Sequence, residues 1–314
     1  MARSGSPATA DASGSWTAPY DVDLGRVLGP FRRGGGDPTH LRTADGSWWR
    51  ACRTPDGPAT LHLTAHHREV AGQAWGSGAA WVIDSVPGLL GFDDDPSGFP
   101  AEELPEVLRE AWRQLAPRWR VPRSRLVLEV LLAAILEQKV TGVEARRGWR
   151  ALVTQVGEPA PGPTPEPMSV LPTAERIRRI PSWQWHRWGV PPSHSATILR
   201  TVVAPGRIEQ CADLDRAQAD RRLRSIPGIG AWTVAEVAQR AWGDPDAVSF
   251  GDFHVAQHVV YAFTGDRDGT DEWMAELLEP FAGHRYRVQR LVEVAGILRP
   301  ARGPRATITD HRRR

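Results

Sequence analysis

The chain has 314 residues, which predicts one large domain or two ordinary ones and leaves enough chain for a buried core. Hydrophobic residues make up 41% and charged residues 24%, values typical of folded proteins, so the composition excludes an intrinsically disordered chain. No apolar run reaches the ~18–20 residues that a transmembrane helix needs, and no secretory signal segment is present at the N-terminus. We therefore expect a cytoplasmic protein that makes no membrane contact.

The cysteines and basic residues narrow the possible chemistry. Two cysteines, Cys52 and Cys211, exclude an iron–sulfur cluster, a four-cysteine zinc site and a disulfide framework. We also expect no histidine zinc site, on the interpretation that no two histidines have the spacing of zinc ligands on a helix. Of 39 basic residues only Lys139 is a lysine, so lysine Schiff-base chemistry has a single candidate besides the N-terminal amine. A net charge of +2 argues against a bulk nucleic-acid binder but permits a local basic face.

The N-terminal part is predicted to be rich in β-structure. Residues 1–18 are small and polar and are predicted to be a disordered lead. Residues 19–100 are assigned to a β-rich domain, in which 47–53 and 59–64 form a hairpin around a Pro-Asp-Gly-Pro turn. The fold class that follows is α+β, with an antiparallel β-rich domain preceding an all-helical one.

Residues 101–298 are predicted to be helical. The segment 124–152 is apolar nearly all round, which indicates a central buried helix or a close helix pair. Six prolines between 157 and 172 exclude a helix there, and we interpret the segment as an exposed loop. Residues 299–314, with six arginines, are predicted to be a frayed basic tail.

A glycine turn between two predicted helices is the most informative motif. Two glycines within four residues allow a tight turn and a close approach of the backbone to a partner. The free amides at the start of the second helix carry the positive end of its dipole, so they suit a DNA phosphate. An ordinary helical corner is the alternative, and the turn alone does not decide between them. The turn consists of Ile226, Pro227, Gly228, Ile229 and Gly230.

A single aspartate follows the second helix and a short loop. Asp252 stands where the N-cap of the next helix belongs, and there the helix dipole favours the ionised carboxylate. An ionised, partly buried aspartate facing a groove can stabilise developing positive charge. Taken alone, an aspartate at a helix start is a cap far more often than a catalyst.

The turn, the helix bearing Trp232, the loop and Gly251-Asp252 together resemble the helix-hairpin-helix DNA glycosylase superfamily. The resemblance covers most of the chain and is closest to bacterial inducible-type 3-methyladenine glycosylases. The segment 137–141, Glu-Gln-Lys-Val-Thr, is similar to the family's DNA-probing loop. Parts of 21–91, including Asp37-Pro38 and 74–78, are similar to its N-terminal β domain.

The resemblance implies a role for each matched residue. Asp252 is the expected catalytic carboxylate, and Trp232 is the expected aromatic wall of the base pocket. Because bifunctional relatives carry their Schiff-base lysine at the position of Trp232, the resemblance implies a monofunctional hydrolase that needs no cofactor. The expected DNA contacts are Gln138, Lys139, Ile226, Pro227, Gly228, Ile229, Gly230, Thr233 and Arg285. No metal site is expected except a monovalent cation on the carbonyls of Ile226 and Ile229.

Three departures bear on the substrate. Glu236 stands where alkylated-base enzymes tend to have a second aromatic residue, His284-Arg285 stands where another pocket tryptophan would be, and Lys139 replaces an apolar wedge. We therefore expect Glu236 and His284 in the base pocket.

The implied function is excision of damaged bases, alkylated purines above all, by a monomer acting on double-stranded DNA by base flipping. Two alternatives stay open: a DNA-structure-binding protein without catalysis, and a glycosylase for oxidised or deaminated bases.

Overall fold

The computed structural model describes residues 9–300. Five antiparallel strands form one sheet in the order β1-β5-β4-β3-β2, and two short strands, β6 and β7, form a separate ribbon. The strands are β1 (Ala12–Thr17), β2 (His40–Arg42), β3 (Trp48–Thr54), β4 (Gly57–His66), β5 (Glu69–Trp75), β6 (Glu158–Pro159) and β7 (Ser169–Val170).

Helices make up most of the remaining described chain. They are α1 (Leu24–Leu28), α2 (Ala79–Asp84), α3 (Val86–Leu89), α4 (Glu106–Leu115), α5 (Val127–Glu137), α6 (Gly142–Val156), α7 (Ala174–Arg178), α8 (Ser182–Arg187), α9 (Pro192–Thr201), α10 (Pro205–Glu209), α11 (Arg216–Arg224), α12 (Ala231–Val237), α13 (Val255–Thr264), α14 (Asp271–Leu278) and α15 (Arg285–Ala295). A π-helical segment, Ala238–Trp242, extends α12. None of the helices in the described part combines the length and apolar character that a membrane span requires.

The predicted hairpin is present as β3 and β4, with Thr54 paired to Gly57 across the turn. The predicted disordered lead is wrong for part of its length. Residues 12–17 form β1, which pairs along its whole length with β5 because its backbone completes the edge of the sheet. Its side chains alternate between half-buried and exposed, and such small polar residues give no periodic signal of a strand. Residues 1–8 of the predicted lead lie outside the described part.

The proline-rich segment 157–172 is not an exposed loop throughout, as was predicted. Met168 and Val170 are buried and pack with Trp49 and Trp75 on the face of the sheet opposite the helices. The backbone also pairs as the β6–β7 ribbon, and Ser169 N–H donates to the Pro38 carbonyl at 2.9 Å. The segment therefore covers the second face of the sheet, where its prolines exclude a helix but permit an extended chain.

Two large hydrophobic cores do not follow the boundary predicted at residue 100. The first core joins the sheet and α1–α4 with α13, α14 and α15 from the C-terminal end. The second core surrounds α5, in which all but one or two side chains are buried, and includes α6, α9, α11 and α12. The predicted central helix pair is thus α5 and α6, separated by the loop 138–141. Because the chain passes from the second core back to the first between α12 and α13, residues of these two helices meet between the cores.

Candidate functional site

The glycine turn joins α11 to α12 with a geometry that requires one of its glycines. The Ile229 N–H donates to the Ile226 carbonyl at 3.1 Å, which closes the turn. Gly228 has a φ of +99°, and a Cβ there would lie 2.1 Å from Thr197 Oγ1. Gly230 is extended and begins α12 with no side-chain cap, and a Cβ there would meet no atom within 4 Å. Only Gly228 is therefore demanded by the fold, while the surface at Gly230 is open.

The loop after α5 is tied to this turn. Gln138 Nε2 donates to the Gly228 carbonyl at 3.0 Å and to Thr233 Oγ1 at 2.8 Å. Gln138 and Thr233, both expected to contact DNA, therefore hold the loop and the turn together. Lys139 is exposed beside them with a φ of +49°, a left-handed conformation that is uncommon for a side-chain-bearing residue. The exposed tip of the loop is thus Lys139.

The residues expected to be catalytic and base-stacking are in direct contact. Trp232 Nε1 donates to Asp252 Oδ2 at 3.0 Å. The other carboxylate oxygen, Oδ1, accepts from the backbone N–H groups of His254 at 2.8 Å and Val255 at 3.1 Å. The predicted N-cap position of Asp252 is wrong, because α13 begins at Val255 and its N-cap is His254. Asp252 lies two residues before that cap and accepts from the N–H groups at the helix start, so three N–H donors fix the orientation of its carboxylate.

A cavity of about 330 Å³ opens between the two cores at this pair. Sequence analysis placed Trp232, Glu236 and Asp252 there, and all three line it. Glu137 and Val140, from the segment similar to the family's DNA-probing loop, also line it. The remaining lining residues were not foreseen, and most of them come from α6, α13 and α15, which carry no local motif for a site. These are Pro30, Gly142, Ala145, Gln239, Arg240, His254, Val255, His258, Tyr286, Gln289, Arg290 and Glu293.

Glu236 is buried in the wall of the cavity and has two polar partners. Its carboxylate pairs with Arg240 Nη1 at 2.7 Å and accepts from Ser249 Oγ at 2.6 Å. Although burial opposes it, the Glu236 carboxylate raises the pKa of Arg240 above its usual range. Ser249 is also bound by Gln239 Nε2 and Gln289 Nε2. The position of the missing second aromatic residue is therefore occupied by a hydrogen-bonded polar network.

The expectation that His284 lies in the base pocket is wrong. His284 does not line the cavity; its ring packs edge-on against Phe99, and its Nδ1 accepts from Arg287 Nε at 2.9 Å. Burial and the neighbouring Arg287 charge lower the pKa of His284.

Arg285, expected to bind DNA, is held by Asp246, which accepts from its Nε at 2.7 Å and from its backbone N–H at 3.1 Å.

Two histidines at the cavity were overlooked. His254 and His258 have the four-residue spacing that sequence analysis held to be absent, and their rings stack with centroids 5.6 Å apart. Burial, together with the His254 charge, lowers the pKa of His258. Within residues 9–300 no group of three or more His, Cys, Asp and Glu side chains is placed to hold a metal ion. The cation site on the carbonyls of Ile226 and Ile229 stays a prediction.

The chain is similar in sequence to a known DNA repair protein. The chain is 30% identical over 220 residues to the probable bifunctional transcriptional activator/DNA repair enzyme AlkA of Mycobacterium tuberculosis. The match covers 66% of this chain and 42% of that protein, so the chain spans less than half of the length of its curated relative. No protein-family model matches the chain.

Solved structures show the same fold. The 3-methyladenine DNA glycosylase of Archaeoglobus fulgidus superposes with a TM-score of 0.77 at 18% identity, covering 90% of this chain and 98% of that one. The 8-oxoguanine glycosylase/lyase of Clostridium acetobutylicum in its apo-form superposes with a TM-score of 0.67 at 12% identity, covering 90% and 95%. The resemblance drawn from the sequence and the α+β fold class are therefore confirmed.

Proposed function

We propose that this chain, which has the fold of the helix-hairpin-helix DNA glycosylases, is a monofunctional DNA glycosylase that removes alkylated purine bases. The observation that carries the proposal is the contact between Trp232 and Asp252 at the mouth of the cavity. One side chain supplies an aromatic face and the other a carboxylate, and both are fixed where the two cores meet. The proposal is also supported by the similar proteins, of which the Mycobacterium tuberculosis one is named a DNA repair enzyme and the Archaeoglobus fulgidus one a 3-methyladenine DNA glycosylase.

The loop 138–141 and the glycine turn form the DNA-contacting surface. A base inside a duplex is inaccessible, so the nucleotide must leave the stack at a cost of a few kcal/mol. Lys139, exposed at the loop tip, is placed to occupy the vacated space, whereas Gln138 positions the loop through its bonds to Gly228 and Thr233. The open surface at Gly230 lets a phosphate approach the amides at the start of α12. The partner is double-stranded DNA carrying a damaged base, bound by a monomer.

The cavity holds the extruded base, and cleavage of the glycosidic bond takes place there. A cationic alkylated purine gains about 0.5–2 kcal/mol from the face of an aromatic ring such as Trp232. N-alkylation weakens the glycosidic bond, so departure of the base needs little acid assistance. As the bond breaks, positive charge develops on the sugar, and the fixed carboxylate of Asp252 stabilises it. Water then completes the hydrolysis, and no amine of the protein bonds to the sugar.

The polar wall of the cavity favours neutral oxidised or deaminated bases as a second candidate substrate class. Glu236, Gln239 and Gln289 present hydrogen-bonding groups around Ser249 where a purely stacking pocket would have aromatic rings. If these groups exchange their mutual hydrogen bonds for bonds to the edge of a neutral oxidised or deaminated base, they discriminate against a base that lacks the matching edge, which would leave them unpaired.

The experiment is base release from duplexes that each contain one defined lesion: an N3- or N7-alkylated purine, 8-oxoguanine, or a deaminated base. We expect fastest release of the alkylated purines and no adduct trapped by borohydride. Fastest release of a neutral lesion would select the second substrate class. A borohydride adduct lost in Lys139→Ala would overturn the monofunctional mechanism, and release of none of the bases would overturn the enzymatic proposal.

A further inference from the structure

A basic surface lies on α6, the helix that follows the loop 138–141. It consists of Arg146 and Arg150, one helical turn apart on α6, and the glycine loop 34–36, and is called here the arginine–glycine patch. Arg150 Nη1 donates to the Gly35 carbonyl at 3.3 Å. A Cβ at Gly34 would lie 2.3 Å from Arg146 Cδ, so the glycine loop and the Arg146 side chain are in close contact.

The charges of this patch are not neutralised. Within residues 9–300 neither Arg146 nor Arg150 forms an ion pair with a carboxylate. The contrast with nearby and distant arginines is clear, because Arg33 pairs with Glu137 at 2.8 Å and Arg113 on α4 pairs with Glu110 at 2.8 Å. Because no carboxylate within residues 9–300 pairs with either guanidinium group, an anion bound at the patch would be attracted without displacing an existing ion pair.

The glycine loop is fixed against α6. Buried Asp37 accepts from the Arg33 N–H at 2.6 Å, the Thr39 N–H at 2.9 Å and Trp149 Nε1 on α6 at 3.1 Å. Burial raises the pKa of Asp37, but the hydrogen bond and charge interaction with His40, together with the backbone N–H groups of Arg33 and Thr39, outweigh it and hold the pKa well below its usual range. The carboxylate therefore closes the loop and anchors it to the same helix that carries Arg146 and Arg150, so little ordering is needed when a ligand binds.

The patch adjoins the candidate site. Gly142, at the start of α6, lines the cavity, and a Cβ there would lie 2.9 Å from Arg146 Nη1. The Arg33–Glu137 ion pair joins the glycine loop to the end of α5, immediately before Gln138. The loop 138–141 is thus bonded to the glycine turn through Gln138 and leads directly into the helix that carries the patch.

We propose that the arginine–glycine patch binds the phosphate backbone of duplex DNA at a second point, separate from the glycine turn. Guanidinium groups suit phosphate because their N–H donors match its oxygens in pairs, and the absence of a Cβ at 34–36 lets a sugar-phosphate chain approach closely. Contacts on both sides of Lys139 hold the duplex while the nucleotide between them is extruded. The choice of DNA as the ligand rests on the proposed function.

The test measures affinity for an undamaged duplex as a function of salt. In Arg146→Ala/Arg150→Ala we expect affinity to fall by roughly tenfold at low salt, and the slope of log affinity against log salt to become shallower by about 1–2. The control, Arg178→Ala/Arg187→Ala, removes the same charge from exposed positions on α7 and α8 that do not line the cavity, and it should keep the wild-type slope.

A second pair of variants excludes misfolding as the cause. A Cβ at Gly35 meets no atom within 4 Å, so both Gly35→Asp and Gly35→Asn should fold with unchanged melting temperatures. Only the aspartate adds negative charge to the patch, and it should weaken duplex binding several-fold more than the isosteric asparagine. A wild-type slope in the double arginine variant, or equal affinities of the two Gly35 variants, would overturn the proposal. Base release is not measured here, so a chain that binds DNA in this way but releases no base would contradict only the proposed function.

Discussion

The indole nitrogen of Trp232, on α12 of the second core, donates a hydrogen bond to the carboxylate of Asp252, in the loop that leads into α13 of the first core. The bond therefore links the two halves of the molecule at the cavity mouth. It also fixes the plane of the ring relative to the carboxylate, so that stacking of a base and stabilisation of the sugar charge take place in one fixed geometry.

Replacing Trp232 with phenylalanine separates these two roles. Trp232→Phe keeps an aromatic face and removes the N–H donor to Asp252. Hydrogen bonds to charged groups contribute about 1.5–3 kcal/mol, so we expect single-turnover base release to slow by roughly tenfold or more while lesion binding changes little. Trp183→Phe, at an indole that is 61% exposed on α8, is the matched control. Wild-type release by Trp232→Phe would show that the hydrogen bond does not orient the carboxylate for chemistry.

Lys139→Gly tests the loop tip without a large stability cost. Glycine relieves about 1 kcal/mol of backbone strain at the left-handed φ of +49°. The greater freedom of glycine in the unfolded chain lowers the free energy of unfolding by a similar amount. We expect a melting temperature near that of wild type, with base release slowed in duplex DNA and unchanged in single-stranded DNA, where no gap needs filling. Equal slowing on both substrates would contradict the role of Lys139 in duplex extrusion.

The two turn glycines should respond differently to alanine. Gly228→Ala places a Cβ 2.1 Å from Thr197 Oγ1 at a positive φ, so we expect a loss of several kcal/mol in the free energy of unfolding. Gly230→Ala meets open space and an ordinary backbone conformation, so it should fold normally but weaken binding of damaged and undamaged duplexes alike. Urea denaturation and duplex titration measure the two effects. Unchanged affinity in folded Gly230→Ala would remove the phosphate contact from the account.

Glu209 should make the stability depend on pH. Burial raises the pKa of Glu209 to about 7. Its carboxylate accepts hydrogen bonds from the backbone N–H groups of Leu128 and Val127, and these bonds lower the pKa by less than burial raises it. Because the folded-state pKa lies above the unfolded value, the stabilisation is full below about pH 4.5 and is lost as the pH rises through about 7.

The expected loss from Glu209 is on the order of 3 kcal/mol in the free energy of unfolding between pH 5 and pH 8. Urea denaturation at both pH values measures it. Glu209→Gln does not titrate and should show a correspondingly smaller difference between the two pH values. An equal difference in the variant and wild type would assign the pH dependence to other groups.

The sequence could predict the parts of the site that depend on local geometry. Trp232 and Asp252 follow the glycine turn at short spacing, and the structure brings the two side chains into contact, while their stacking and catalytic roles stay predictions. The place of His284 depends instead on Phe99, Arg287 and the partner of Arg285, all of which are set by packing between distant segments. The same holds for β1, whose small polar residues become a strand only because β5 offers an edge to pair with.

Base excision depends on the Asp252 carboxylate, which stabilises the positive charge that develops on the sugar. Single-turnover base release from a duplex that contains one alkylated purine measures this dependence. Asp252→Asn keeps an amide oxygen that can accept from the backbone N–H groups of His254 and Val255, so folding and duplex affinity should persist. It removes the negative charge and also the bond from Trp232 Nε1, since the amide nitrogen donates, and Trp232→Phe measures the loss of that bond alone. The account predicts that release by this variant falls by at least ~100-fold, the scale of one electrostatic catalytic group. Release at the wild-type rate by folded, DNA-bound Asp252→Asn would contradict it.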